Sequence, residues 1–216
     1  MKIDVFKLLF SDLHLEPRKI PKIRGYIANR FKEYDILHNH DDNKYLYRYP
    51  LVQYKIVNEA PALIGISEGI RVLETIENEI RTMSLDGEKI ELYEKQMYFN
   101  VEQFGCADEL LRYNFISPWM CLNEKNYKIY LNSSDEEKKK LLNKILIGNI
   151  LSMSKGLGYT VDKELKTYVE VTPCQINFKN KTMLGFKGHF IINFKIPDYL
   201  GIGKSVSRGF GMVKIC

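Results

Sequence analysis

No apolar run in these 216 residues approaches the roughly 18 needed to span a bilayer, so the sequence offers no transmembrane helix. Cysteine is scarce and poorly spaced. Cys106, Cys121, Cys174 and Cys216 lie far apart without a C-x-x-C pair, which argues against a zinc site or a disulfide framework and fits reduced thiols in a cytoplasmic protein. Histidine is equally rare, with His14, His38, His40 and His189 the full set, and only two of these are neighbours. The first seven residues carry charges inside a short apolar stretch and lack a small-residue cleavage site, so they read as a first strand and not as a secretory leader. The composition, 45% hydrophobic and 27% charged, is ordinary for a globular chain and argues against disorder. The length suits one large domain or two compact ones of about 100 residues each.

Acidic residues are missing from one region in particular. Residues 177–216 hold seven basic side chains (Lys179, Lys181, Lys187, Lys195, Lys204, Arg208 and Lys214) against the single acid Asp198, so this segment carries +6 within a chain of net charge +5. A basic segment inside an otherwise near-neutral protein suits a polyanionic partner, and equally suits a solvated sheet face.

Periodicity supplies the elements. Residues 3–10 read as a strand. Ile20, Ile23, Ile27, Phe31 and Tyr34 then recur at spacings of three or four and give a helix with one apolar face, Pro21 sitting in its first turn. Lys22, Arg24, Arg30 and Lys32 fall off that stripe. The polar residues 38–43 break the pattern and predict a loop. Two strands, 45–57 and 62–66, follow with a turn near Asn58 and Glu59. Ser67 is the expected N-cap of a helix with Leu73, Ile76, Ile80 and Met83 inward. A further strand covers about residues 90–101. The order is βαββαβ, a ferredoxin-like unit.

A second such unit is expected from near Leu110. Residues 113–117 and 127–131 have strand composition. Asp135, Glu136 and Glu137 place carboxylates in the first turn of a helix that runs through Leu142, Leu146, Ile150 and Met153 and stops near Lys155-Gly156. Phe190, Ile192, Phe194 and Ile196 alternate with His189, Ile191, Asn193 and Lys195, so one strand has an apolar and a largely polar face. The expected architecture is α+β: two tandem ferredoxin-like (βαββαβ) domains, residues 1–107 and 108–216, joined near residues 102–110.

Four glycines fall within eleven residues at the C-terminus, Gly201, Gly203, Gly209 and Gly211, with Lys204 and Arg208 among them. Glycine permits left-handed backbone angles and close approach to a ligand, and the N–H groups of such a loop suit phosphate. The spacing is not that of a P-loop. This run resembles the glycine-rich motif of the repeat-associated (RAMP) superfamily of CRISPR RNA-binding proteins. Three further stretches extend the resemblance: His38-Asn39-His40 after the first helix, residues 47–55, and residues 113–119. Together they make the chain similar, nearly end to end, to the CRISPR precursor-RNA processing endoribonucleases.

The resemblance implies attack of a ribose 2′-OH on its neighbouring phosphodiester, leaving a 5′-OH and a 2′,3′-cyclic phosphate and using no metal or other cofactor. Such a reaction needs a base, an acid and positive charge at the phosphate, and histidine suits either proton role. His40 and His38 occupy the loop where the family carries its catalytic histidine. Tyr47, with Tyr45 as its rival, is the candidate for orienting the nucleophile or phosphate. Arg30, Lys32 and Lys44 are candidates for stabilising charge. Lys187, His189, Asn193, Lys195, Gly203, Lys204, Arg208 and Gly209 make up the expected RNA-binding surface. The implied partner is CRISPR repeat RNA (pre-crRNA), with other CRISPR effector subunits in view, no membrane, and a monomer or homodimer as the working form. His38, His40, Asp41 and Asp42 also have the types of metal ligands, but a six-residue loop lacks the distant third ligand of a ββα-metal nuclease. The rival from a different class is a non-catalytic RAMP-type subunit that only binds crRNA.

Overall fold

In a computed structural model, residues 1–38, 49–179 and 181–216 are described, together with the backbone pairing of two short strands, His40–Asp41 and Lys44–Tyr45. Residues group into two compact units. One holds Lys2–Glu102 with Ser207–Gly209, the other Met1, Gln103–Val206 and Phe210–Cys216.

In the first unit the alternating run Lys2–Phe10 forms β1. A single 3-10 turn, Pro17–Lys19, leads into α1, Ile20–Arg30, whose buried Ile20, Ile23 and Ile27 follow the predicted stripe, with Ala28 buried beside them. A short helix, α2, spans Asp35–His38 and buries Leu37. The two-residue strands β2 (His40–Asp41) and β3 (Lys44–Tyr45) follow, and then β4, Val52–Val57, and β5, Ala60–Ile66. Asn58 and Glu59, both at positive φ, make the tight turn between these two strands. Of the expected strand over residues 45–57, residues 46–48 lie outside the described residues; residues 49–51 are not strand, since Pro50 has no N–H for a ladder, and the long strand starts only after it. Helix α3 covers Glu68–Glu77 and buries Leu73 and Ile76. Ser67 does not cap it. Its φ of 52° and ψ of −122° lie outside the extended geometry that an N-cap side chain needs. The hairpin β6 (Thr82–Leu85) and β7 (Glu88–Glu91) turns at Asp86-Gly87, and β8, Lys95–Gln103, completes the unit.

The sheet order is β4-β5-β1-β8. The first and third long strands are central and the second and fourth lie at the edges, which is the ferredoxin-like arrangement. One face of this sheet meets the helices, and Phe6, Leu8, Phe10, Ile23, Ile27, Tyr54, Leu63, Leu73 and Ile76 close the core between them.

The second unit repeats the order. Its sheet reads β10-β11-β9-β12, built from β9 (Gly105–Trp119), β10 (Thr167–Phe178), β11 (Lys181–Lys195) and β12 (Val213–Ile215). Between β9 and β10 run α4, Glu124–Leu131, and α5, Asp135–Gly156. The acidic first turn of α5 is as expected and gains a capping box between Ser134 and Glu137. Residues 127–131, read from composition as a strand, are helical. Asn123 caps the turn by accepting the Asn126 N–H at 2.7 Å, Glu124 pairs with Lys128 one turn on, and Tyr127 and Ile129 stay exposed without a cross-strand neighbour.

Where a complete βαββαβ unit has its second helix, residues 196–212 contain only a 3-10 turn, Val206–Arg208. Gly203, Gly209 and Gly211 stand at φ of 94°, 91° and 62°, angles that no right-handed helix contains. The core of this unit is aromatic. Phe115 stacks on Trp119, Tyr113 stacks on Phe190, and Trp119 Nε1 donates to Asn149 Oδ1. Among the described residues no helix is long and apolar enough to cross a membrane.

Candidate active site

Burying Ile20, Ile23 and Ile27 turns Arg24 onto the flank of α1, half-buried between stripe and solvent. From there its Nη2 donates to the main-chain carbonyl of His38, the last residue of α2. A guanidinium at the end of a helix satisfies a carbonyl that the helix itself leaves open. It also fixes the point at which the chain leaves His38 for residues 39–48.

Tyr54 lies beside this contact, in β4 and among the core residues. Burial pushes its phenol pKa up, against the opposing pull of the Arg24 charge, so the hydroxyl stays neutral and able to donate. Burial likewise lowers the Arg24 pKa, Tyr54 counteracts that, and the like charge of Arg208 lowers it further. Arg24 Nε and the Tyr54 hydroxyl are both buried without a hydrogen-bond partner among the described residues.

Arg208 arrives on a tip of three residues, Ser207–Gly209, that folds with this unit. Gly209 is required there. At φ of 91° any side chain is strained, and a Cβ would stand 2.3 Å from Ile20 Cδ1 and 3.4 Å from the Tyr54 carbonyl oxygen. The missing side chain lets the tip lie against the start of α1 and against β4, and seats Arg208 within electrostatic reach of Arg24.

The other candidates are placed as follows. The His40 backbone pairs with Tyr45 and that of Asp41 with Lys44; the side chains of these four, and all of Tyr47, lie outside the described residues. Arg30 is committed elsewhere, donating to the Tyr26 hydroxyl at 3.0 Å and to the Glu79 carbonyl at 2.7 Å, while Tyr26 donates to the Thr82 carbonyl. It tethers α1 to the chain around residues 79–82 and lines a groove of about 460 Å³ with Lys22, Tyr26, Asn29 and Ser84. Lys32 is exposed just beyond α1.

The expected RNA-binding residues divide into separate groups. Lys187 and His189 lie on β11 and line a groove of about 500 Å³ with Thr172, Glu170 and Lys139 of α5. His189 Nε2 is 2.9 Å from Glu170 Oε2. Lys195 is eight residues further along the strand, about 27 Å from Lys187 at the usual rise, so the two do not share a subsite. Asn193 does not face a ligand at all: its Oδ1 accepts the Lys166 N–H and its Nδ2 donates to the Glu164 carbonyl. Gly203 packs on Trp119, where a Cβ would come within 2.8 Å of the indole nitrogen. The Lys204 N–H bonds to the Met120 carbonyl and its ammonium to the Leu122 carbonyl at 3.0 Å, and burial lowers its pKa. The glycine-rich run is therefore not one continuous cradle: Gly203 and Lys204 are bound into the second unit, while Arg208 and Gly209 fold with the first.

Arg24, Tyr54 and Lys139 are the site-lining residues that sequence reasoning passed over. The available signal was weak. Arg24 is one of several cations off an apolar stripe, and Tyr54 has the composition of a core strand.

Residues 1–103 match the model of the Cas6b N-terminal domain and residues 105–216 that of the Cas6b C-terminal domain. A crystal structure of Cas6b superposes with a TM-score of 0.96 at 41% identity, covering both chains completely. A second, described as the CRISPR RNA processing endoribonuclease Cas6b, superposes with a TM-score of 0.83 at 39% identity, again over both full chains. An uncharacterized protein of Methanocaldococcus jannaschii is 47% identical over 135 residues, which is 62% of this chain and 92% of that one.

Proposed function

The chain belongs to the Cas6b family, and on that premise we propose that it is the endoribonuclease that cuts CRISPR repeat RNA into crRNAs. The observation that carries this reading is the contact of Arg24 with the His38 carbonyl, because it holds the first of the two histidines beside a guanidinium that itself feels the charge of Arg208. Two histidines two residues apart, the first of them held at the end of α2 beside a guanidinium, suit acid–base chemistry on a phosphodiester.

In the reaction we propose, the ribose 2′-oxygen attacks the adjacent phosphorus while a base removes its proton. The bond from phosphorus to the 5′-oxygen breaks, and an acid protonates that oxygen. The products are a 2′,3′-cyclic phosphate and a 5′-OH, with no metal taking part. His40 and His38 supply the two proton transfers, each worth about 10²–10⁴-fold in rate. Tyr47 orients the phosphate. Arg30 acts through the scaffold that it ties together, and Lys32 adds to the field near the loop. Lys187 and His189, Lys195, Gly203 and Lys204, and Arg208 and Gly209 hold successive parts of the RNA. The N-terminal domain, residues 1–107, carries the cutting loop, and the C-terminal domain, residues 108–216, contributes most of the grip. The chain works in the cytoplasm as a monomer or homodimer and supplies crRNA to CRISPR effector subunits.

A cleavage assay in excess EDTA, on repeat RNA and on the same RNA with a 2′-deoxy scissile nucleotide, tests the reading. The expected result is a single cut in EDTA that vanishes on the deoxy substrate and in His38→Ala/His40→Ala. Cutting that EDTA abolishes, or that survives on the deoxy RNA, overturns the mechanism. RNA binding with no cleavage under any condition identifies a binding subunit instead.

A further inference from the structure

Helix α1 has a second polar flank. At about 100° per residue, Lys22, Tyr26 and Asn29 stand about 140–200° round the helix from Arg24, so they face away from the His38 contact. This flank and β6 enclose the groove of about 460 Å³ lined by Lys22, Tyr26, Asn29, Arg30 and Ser84, with no carboxylate among the described residues of its wall. Arg30 is pinned there. It gives part of its donor fork to the Tyr26 hydroxyl at 3.0 Å and to the Glu79 carbonyl at 2.7 Å, and the side chain stays exposed. A guanidinium already held in place loses little freedom when it takes a phosphate.

An acid from another element meets the Lys22 end of this groove. Asp86, in the turn between β6 and β7, accepts from Lys22 through Oδ1 and from Lys19 through Oδ2. A two-residue hairpin turn favours Asp-Gly, but it does not require the carboxylate to reach α1 and bridge two ammonium groups. The three side chains are 31–49% exposed, so the bridge is screened by solvent and open to a competing anion. Lys19, Lys22 and Arg30 thus share one carboxylate, and positive charge is left over. Lys22 and Arg30 lie eight residues apart on α1, about 12 Å along its axis, a spacing that suits successive phosphates of a strand more than one small anion. Cations beside the uncharged polar groups of Asn29 and Ser84 are the means by which proteins hold a nucleic-acid backbone.

We propose that the groove between α1 and the β6-β7 hairpin binds a stretch of the RNA strand, with Lys22 and Arg30 on its phosphates, and that Asp86 competes with the RNA for Lys22. This rests on the reading of the chain as an RNA-processing enzyme. Asp86 limits how tightly a polyanion is held: a strand must displace the carboxylate before Lys22 can meet a phosphate.

The test uses the full chain and repeat RNA with a 2′-deoxy scissile nucleotide, with binding measured over a series of salt concentrations. Lys22→Gln and Asp86→Asn are compared with Lys128→Gln and Glu124→Gln, the same charge changes in an exposed ion pair of α4. Asn keeps the residue preference of the turn at position 86. We expect Lys22→Gln to weaken binding about 3–10-fold and to make the log–log salt slope shallower by about 0.7, one phosphate contact fewer on a single strand. Asp86→Asn tightens binding by about the same factor, and its gain shrinks in the Lys22→Gln background. Each α4 variant stays within about twofold of wild type. Equal effects from the α4 pair reduce the result to net charge and overturn the groove. Binding that Asp86→Asn weakens or leaves unchanged overturns the competition, since a merely structural ion pair gives that result. If Asp86→Asn does not fold, Lys22→Gln against its α4 control decides the groove. Intact, uncleavable-site-free repeat RNA that the wild type binds but never cuts sinks the enzymatic reading and leaves the groove to the same comparison; a wild type that binds no RNA overturns both.

Discussion

At the scale of single residues, the site depends on absences as much as on functional groups. Gly209 has no Cβ, and for that reason the tip carrying Arg208 can lie on Ile20 and Tyr54. We predict that Gly209→Ala destabilises the chain by about 1–3 kcal/mol, the usual cost of forcing a side chain into such backbone, and slows cleavage as Arg208 is displaced. Urea denaturation with a parallel cleavage assay measures both, and an Ala variant with wild-type stability and rate contradicts it. Arg24 shows the limit of reading residues singly. In sequence it is one cation among Lys22, Arg24, Arg30 and Lys32, and a helix cation is ordinarily solvated. Only its rotation about α1, fixed by three buried isoleucines, separates it from Arg30, whose donors go to Tyr26 and Glu79.

At the scale of elements, periodicity was the reliable guide where a long apolar stripe existed. Helix α1 follows its isoleucines, and α5 begins with its three acidic residues and ends at Gly156. It failed for α4, whose Tyr and Ile residues have strand composition but whose ends carry a cap and an ion pair that compete locally. It also failed for Ser67, the right residue type in the wrong backbone conformation. Gly148 lies exposed in the middle of α5, with nothing within 4 Å of the place a Cβ would take. Gly148→Ala is therefore expected to stabilise the chain by about 0.5–1 kcal/mol by lowering the entropy of the unfolded state, without changing cleavage. A denaturation midpoint that stays put or falls counts against this account of α5.

At the scale of the molecule, two units of like strand order divide the chain, and burial within the first has a titratable consequence. Lys55 in β4 is fully buried, which pulls its pKa down to about 7. An unfolded lysine holds its proton to about 10.4, so between those values the unfolded state binds more protons than the folded one. Stability then rises with pH across that window and is lower below it, where the buried group must carry charge. Lys55→Met is expected to flatten this rise and to exceed the wild type in stability near pH 6, as read from urea midpoints across the window; parallel pH profiles would refute it. The sequence by itself determined the ferredoxin-like plan and the elements with long apolar stripes, β1, α1, α3 and α5, because these follow from local periodicity; it pointed residues 127–131 to the wrong element and showed no sign of α2 or of the β6-β7 hairpin. The glycine-rich run with which the C-terminal reading began was legible as a loop suited to phosphate, but only the tertiary structure divided it, binding Gly203 and Lys204 to Trp119, Met120 and Leu122 and folding Arg208 and Gly209 with α1 and β4. The reason is physical. Which residues meet across 82 or more positions of chain depends on packing and charge in three dimensions, and no local pattern in the sequence encodes that distance.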